Sequence, residues 1–152
     1  MSDKKIRMDD LIPLIKESLS NGYEVAFSPS GSSMLPLIKE GRDSVTLVAP
    51  PKRLKKYDLP LYQRENGQYV LHRVVGVGQD YTCIGDNQFI LEKGIKHEQI
   101  IAVCVAITKK GKKLPVNSLR LQIYARFWHY TRFIRRVFNA LKRRFSALFK
   151  KN

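Results

Sequence analysis

A serine hydroxyl is a poor nucleophile near neutral pH until a base takes its proton. Three short stretches of this 152-residue chain carry residue types that could meet that need. The first is Gly31-Ser32-Ser33-Met34-Leu35-Pro36. Gly31 lets backbone come close to a substrate carbonyl, and Pro36 stiffens the segment after the serines. A loop serine taken alone is more often a turn cap. The second stretch is Leu71-His72-Arg73-Val74-Val75, one histidine in a β-branched run. Strand alternation predicts His72 on one face with Val70 and Val74, and Leu71 with Arg73 on the other. An ordinary imidazole pKa of about 6.5 suits general-base work. The commoner role for a lone histidine on such a face is that of a satisfied core residue. The third stretch is Gly85-Asp86-Asn87, where a carboxylate could fix the tautomer of His72 and stabilise its imidazolium. The competing reading is a turn in which Asp86 bonds its own backbone.

These side chains lie far apart in sequence, so a β scaffold has to bring them together. Leu11, Ile12, Ile15 and Leu19 recur at helical spacing and predict a helix over 7–20, stopped at Asn21-Gly22. Strands are predicted at 23–27 and 44–48. A hairpin is predicted from 59–64 to 69–77 around Glu65-Asn66-Gly67, since Asn-Gly between two such runs is a strong turn signal. Further strands are expected at 81–84 and 98–108, with a basic turn over 109–113. From 118 to 150 the character changes. Ile123, Phe127, Tyr130, Ile134, Val137, Leu141, Phe145 and Leu148 form one apolar stripe at helical spacing, with lysines and arginines opposite. The pattern predicts a mainly β (α+β) chain in three parts: an N-terminal helix over 1–22, a β domain over 23–116 and a basic amphipathic helix over 117–152.

The charge has a location. The net charge is +15, and from Asn117 onward there are ten basic residues and no acidic one. Such a balance favours anionic lipid, nucleic acid or acidic partners. The helix has three readings: packing of its stripe on the β body, docking on an anionic membrane, or binding of nucleic acid by charge alone. No apolar run approaches the roughly 18–20 residues that span a bilayer. Residues 1–10 are charged and lack the apolar core of a secretory signal. The expected location is therefore cytoplasmic, on a membrane's inner face if the helix docks there. Cys83 and Cys104 read as buried thiols. His72, His97, His129 and the cysteines have no metal-ligand spacing, and no cofactor is expected.

Taken together, the boxes SGSSMLPLIKEGRDSV, YDLPLYQRENGQYVLHRVVGV and YTCIGDNQ resemble the S24/S26 serine peptidases, the signal peptidases and LexA-type self-cleaving repressors. The resemblance spans about residues 25–108. It implies Ser33 as nucleophile, His72 as general base, and an oxyanion met by the Ser33 N–H and the Ser32 hydroxyl. Most bacterial members have lysine where His72 stands; histidine is similar to the endoplasmic-reticulum and archaeal-like branch. Asp86 matches the Gly-Asp-Asn aspartate, and Glu92 is the other acid that could support His72. The implied activity is endopeptidase cleavage of a peptide or protein precursor at small residues, in trans, since no Ala-Gly pair for self-cleavage occurs. The alternative is a non-catalytic module of the same fold, binding membrane, peptide or nucleic acid through its basic helix.

Overall fold

The computed structural model describes residues 8–149, with side chains described through Lys142. In chain order the elements are α1 (Met8–Ser20), β1 (Val25–Phe27), β2 (Asp43–Val48), β3 (Leu59–Gln63), β4 (Tyr69–Leu71), β5 (Arg73–Val77), β6 (Tyr81–Ile84), β7 (Glu92–Ile95), β8 (Ile100–Lys109), β9 (Lys112–Pro115), α2 (Leu119–Tyr130) and α3 (Arg132–Phe149). The strands form two antiparallel sheets, giving a mixed α+β architecture. The larger sheet runs β1-β2-β8-β3-β4, with β9 also on β8; the smaller runs β5-β6-β7.

Helix α1 buries Ile12, Ile15 and Leu19, the residues whose spacing predicts it. They pack with Leu47, Leu59, Leu61, Ala102 and Ile107 of the large sheet. A second cluster, with Tyr62, Val74, Cys83, Ile95 and Val103, joins the two sheets. Both cysteines are buried free thiols. Burial pushes each thiol pKa up to about 12, so neither is a nucleophile near neutrality.

The Asn-Gly hairpin forms as its sequence predicts: Leu61 pairs with Leu71 and Gln63 with Tyr69 across the turn. The second strand does not run on unbroken to Val77. It stops at Leu71, and β5 begins at Arg73 in the other sheet. His72 is the crossover residue, its N–H donating to the Pro60 carbonyl at 3.2 Å. Because the chain passes between sheets here, both of its sides are covered. Leu71, His72, Arg73 and Val74 are all buried, and the simple two-face alternation fails.

The C-terminal segment differs from the single helix expected and decides against one of its three readings. It is two helices, broken at Thr131, rather than one. The Thr131 hydroxyl donates to the Phe127 carbonyl at 2.7 Å, and the Arg135 guanidinium donates to the Trp128 carbonyl at 2.7 Å. The apolar stripe is also not the packing face. Leu121 and Ala125 are the buried residues of α2, while Ile123, Phe127, Tyr130, Ile134, Val137 and Leu141 are exposed. The stripe's Phe145 and Leu148 side chains lie outside the described residues. Among the described residues no helix is long and apolar enough to cross a membrane.

Candidate active site

Ser33 sits in the loop between β1 and β2, half-buried, just after Gly31. Gly31 has φ +93°, in the left-handed region that other residues avoid, and its N–H is held by Glu40 at 2.8 Å. The loop rests on the Gly85–Asn87 turn. The Asn87 N–H donates to the Ser33 carbonyl at 2.8 Å, and the Asn87 side-chain amide donates to the Ser32 carbonyl at 3.2 Å. A Cβ on Gly85 would stand 2.7 Å from the Ser33 carbonyl oxygen, too close for any side chain. Glycine at position 85 is therefore what lets this turn lie under the serine loop.

His72 is 1% exposed, and it lines a cavity of about 680 Å³ together with Ser33. Arg64, Gln68, Tyr69 and Gln88 form other parts of that wall. On its inner side, His72 Nδ1 lies 3.1 Å from Glu92 Oε1 and 3.3 Å from the Tyr62 hydroxyl. That hydroxyl donates to Glu92 Oε2 at 2.7 Å, so its oxygen turns a lone pair toward the ring. Nδ1 thus faces acceptors on both counts, which assigns the proton to Nδ1 and leaves Nε2 with its lone pair. Nε2 is buried and has no hydrogen-bond partner among the described residues. Burial is the main influence holding the His72 pKa below its ordinary value, and the Glu92 carboxylate opposes it only in part. The ring is therefore neutral at pH 7, the form a general base requires.

Glu92 is itself clamped by Arg64, whose Nε donates at 2.9 Å to Oε2 and whose terminal nitrogen donates to Oε1. Burial works to raise the Glu92 pKa, but the bonds from Arg64 and Tyr62 outweigh it and hold the carboxyl below its usual range. Register delivers this acid: Tyr81 pairs with Ile95 and Cys83 with Glu92 across β6 and β7.

Asp86 is engaged elsewhere. Both its oxygens accept from Arg73, at 2.8 Å each, and Tyr124 donates to Oδ2 at 3.1 Å. Its backbone carbonyl accepts from Trp128 Nε1 at 2.6 Å and from Arg135 at 3.3 Å. The acid against the imidazole is thus Glu92, and the Asp86 side chain is spent on a buried arginine. The simple turn reading for Asp86 fails as well, because its carboxylate reaches across the fold. Tyr62 and Arg64 carry no signal in the sequence. Their roles depend on β3 passing behind His72, which no local pattern encodes.

The other two histidines contact tyrosines. His97 Nδ1 lies 3.0 Å from the Tyr81 hydroxyl, and the His129 ring meets Tyr57 edge-on. His129, expected at the surface, is a half-buried residue of α2, and its Nδ1 has no hydrogen-bond partner among the described residues.

Comparison of the chain with models of known families, with curated proteins and with solved structures finds no match.

Proposed function

We propose that the chain is a serine endopeptidase of the signal-peptidase/LexA type, with Ser33 as nucleophile, His72 as general base and Glu92 as the acid that orients it. One observation carries the reading. A neutral imidazole, pinned at Nδ1 by a carboxylate and with a buried, unpartnered Nε2, belongs to a residue that lines the same cavity as Ser33. Most buried polar atoms have a hydrogen-bond partner; His129 Nδ1 is also without one among the described residues, but His129 does not share a cavity with Ser33.

In the proposed reaction, the Ser33 Oγ attacks the scissile carbonyl carbon while its proton passes to His72 Nε2. The developing oxyanion is met by the Ser33 N–H and the Ser32 hydroxyl. His72 then returns the proton to the leaving amine, the C–N bond breaks, and an ester on Ser33 remains. Water, deprotonated by the same nitrogen, hydrolyses that ester and restores the serine. Glu92 steadies the imidazolium in both halves.

Two features suit a peptide substrate. A pocket of about 90 Å³ beside Ser33, walled by Phe27, Met34, Ile38 and Leu71, has room only for a small side chain. Strand β4, which also lines that pocket, is paired on one side by β3 and ends the sheet order. An extended peptide can add to such an edge through main-chain bonds. A larger open cavity of about 830 Å³, lined by Phe89, Ile90 and Ile95, shares Arg64, Gln88 and Glu92 with the catalytic cavity and its acid, and offers room beyond the cut.

The test is a peptide-library digest by the purified chain, paired with labelling by a fluorophosphonate and peptide mapping of the adduct. Cleavage after small residues and an adduct on Ser33 are expected. Ser33→Ala should abolish the adduct and lower kcat/KM at least ~10³-fold without changing the thermal melt. Undiminished cleavage by Ser33→Ala would end the proposal.

A further inference from the structure

We propose that α2 and α3 form a docking surface for anionic membranes, with their apolar stripe seated at the boundary of headgroups and acyl chains. The stripe is in water as the chain stands: exposure runs from 45% at Val137 to 71% at Tyr130, with Ile123, Phe127, Ile134 and Leu141 between. Exposed apolar residues recurring along two successive helices mark an interaction site. The β body does not compete for it, because the helices are fastened through other residues. Leu121 and Ala125 are buried, Trp128 Nε1 holds the Asp86 carbonyl, and Arg135 lies over the Trp128 ring at 3.8 Å.

Charge selects the occupant. From Asn117 to the end the chain has ten basic residues and no acidic one. A second copy would bring the same positive charge against itself. A polynucleotide would satisfy the basic face and leave the aromatic and aliphatic stripe in water. An anionic bilayer satisfies both at once: phosphates meet exposed basic side chains such as Arg120, Arg136 and Lys142 while the stripe enters the acyl boundary. The attachment also joins this surface to the candidate site. Asp86, which the helices grip, precedes Asn87, whose N–H holds the Ser33 carbonyl. The docking helices are thus bonded to the turn that supports the serine loop. The inference rests on exposure and charge, and holds whether or not the chain is a peptidase.

Co-sedimentation of the full-length protein tests it, using vesicles of phosphatidylcholine alone and of phosphatidylcholine mixed with phosphatidylglycerol. Binding to the mixed vesicles, weakening with salt, and little binding to the neutral ones are expected. The double substitution Val137→Glu with Leu141→Glu alters only exposed positions, so its thermal melt should match that of the native chain. Its partitioning should fall at least ~100-fold. Arg136→Glu alone should cost on the order of tenfold. Equal binding to both lipids, or unchanged binding by the double variant, overturns the proposal. So does self-association or polynucleotide binding in the absence of any vesicle binding.

Discussion

Two arginine–carboxylate pairs flank the chain's crossover between sheets, and they are built for different ends. Arg73 and Asp86 are almost fully buried, with side chains 4% and 2% exposed, and every oxygen of Asp86 is occupied. Arg64 and Glu92 are partly open to solvent at 28% and 19%, and their carboxylate has an imidazole attached whose far nitrogen makes no hydrogen bond among the described residues. The first pair is saturated and closes the structure by locking strand β5, the turn at Gly85 and helix α2 together. The second ends at a residue that lines a cavity and keeps one nitrogen unpartnered among the described residues. Burial and complete hydrogen bonding make a fastener; partial burial with one lone pair to spare leaves a group with the capacity to accept a proton.

Each pair can be broken separately, and the results should diverge. Asp86→Ala leaves Arg73 charged, buried and without its carboxylate. The expected cost is about 3–5 kcal/mol in urea unfolding, the usual penalty for removing one partner of a buried pair. A loss under about 1 kcal/mol would mean that Asp86 is not the fastener described. Glu92→Gln should act the other way: a small change in unfolding free energy, as suits a half-exposed pair, but a fall of about 10²-fold in kcat/KM on any peptide substrate found. If its activity loss merely tracks its stability loss, the distinction between the pairs collapses.

The smallest effect is in the pH profile. The His72 pKa is depressed from 6.5, chiefly by burial. The active neutral form therefore persists below pH 6.5, and the acid limb of kcat/KM should lie on that side. Glu92→Gln removes a charge that favours the imidazolium, so its acid limb should move further toward acid. A limb above pH 6.5 would contradict the buried, neutral base. The same shift has a stability counterpart. The contribution from burying neutral His72 is fully present above the unfolded value near 6.5 and is lost as pH falls through the lower folded pKa. Unfolding measured across that window should show stability decreasing toward acid.

Much of this frame could be read along the chain. Helix α1, the Asn-Gly hairpin and the strand Tyr81–Ile84 are governed by local periodicity and turn chemistry, and they stand close to where the pattern puts them. Strands β7 and β9 could not be read. The first, Glu-Lys-Gly-Ile, has a glycine at φ +75° and no apolar alternation, and the second, Lys-Lys-Leu-Pro, is half charged. Both owe their form to pairing with neighbours rather than to propensity. The C-terminal stripe was legible as an amphipathic helix, yet its orientation was not. Hydrophobicity argues for inward packing, while the polar grips of Trp128, Arg135 and Tyr124 on Asp86 turn the other face to the body.

Residue type, spacing and the glycines around Ser33 come from the chain alone, because a glycine-flanked serine loop and a β-branched histidine run are local features. So does the concentration of positive charge after Asn117. Which acid meets His72 was decided only in three dimensions. Asp86 and Glu92 are six positions apart with equivalent chemistry. The register of β7 on β6 brings one to the imidazole, and the crossover at His72 presents Arg73 to the other. Long-range register is a property of paired strands, and neither strand carries it by itself.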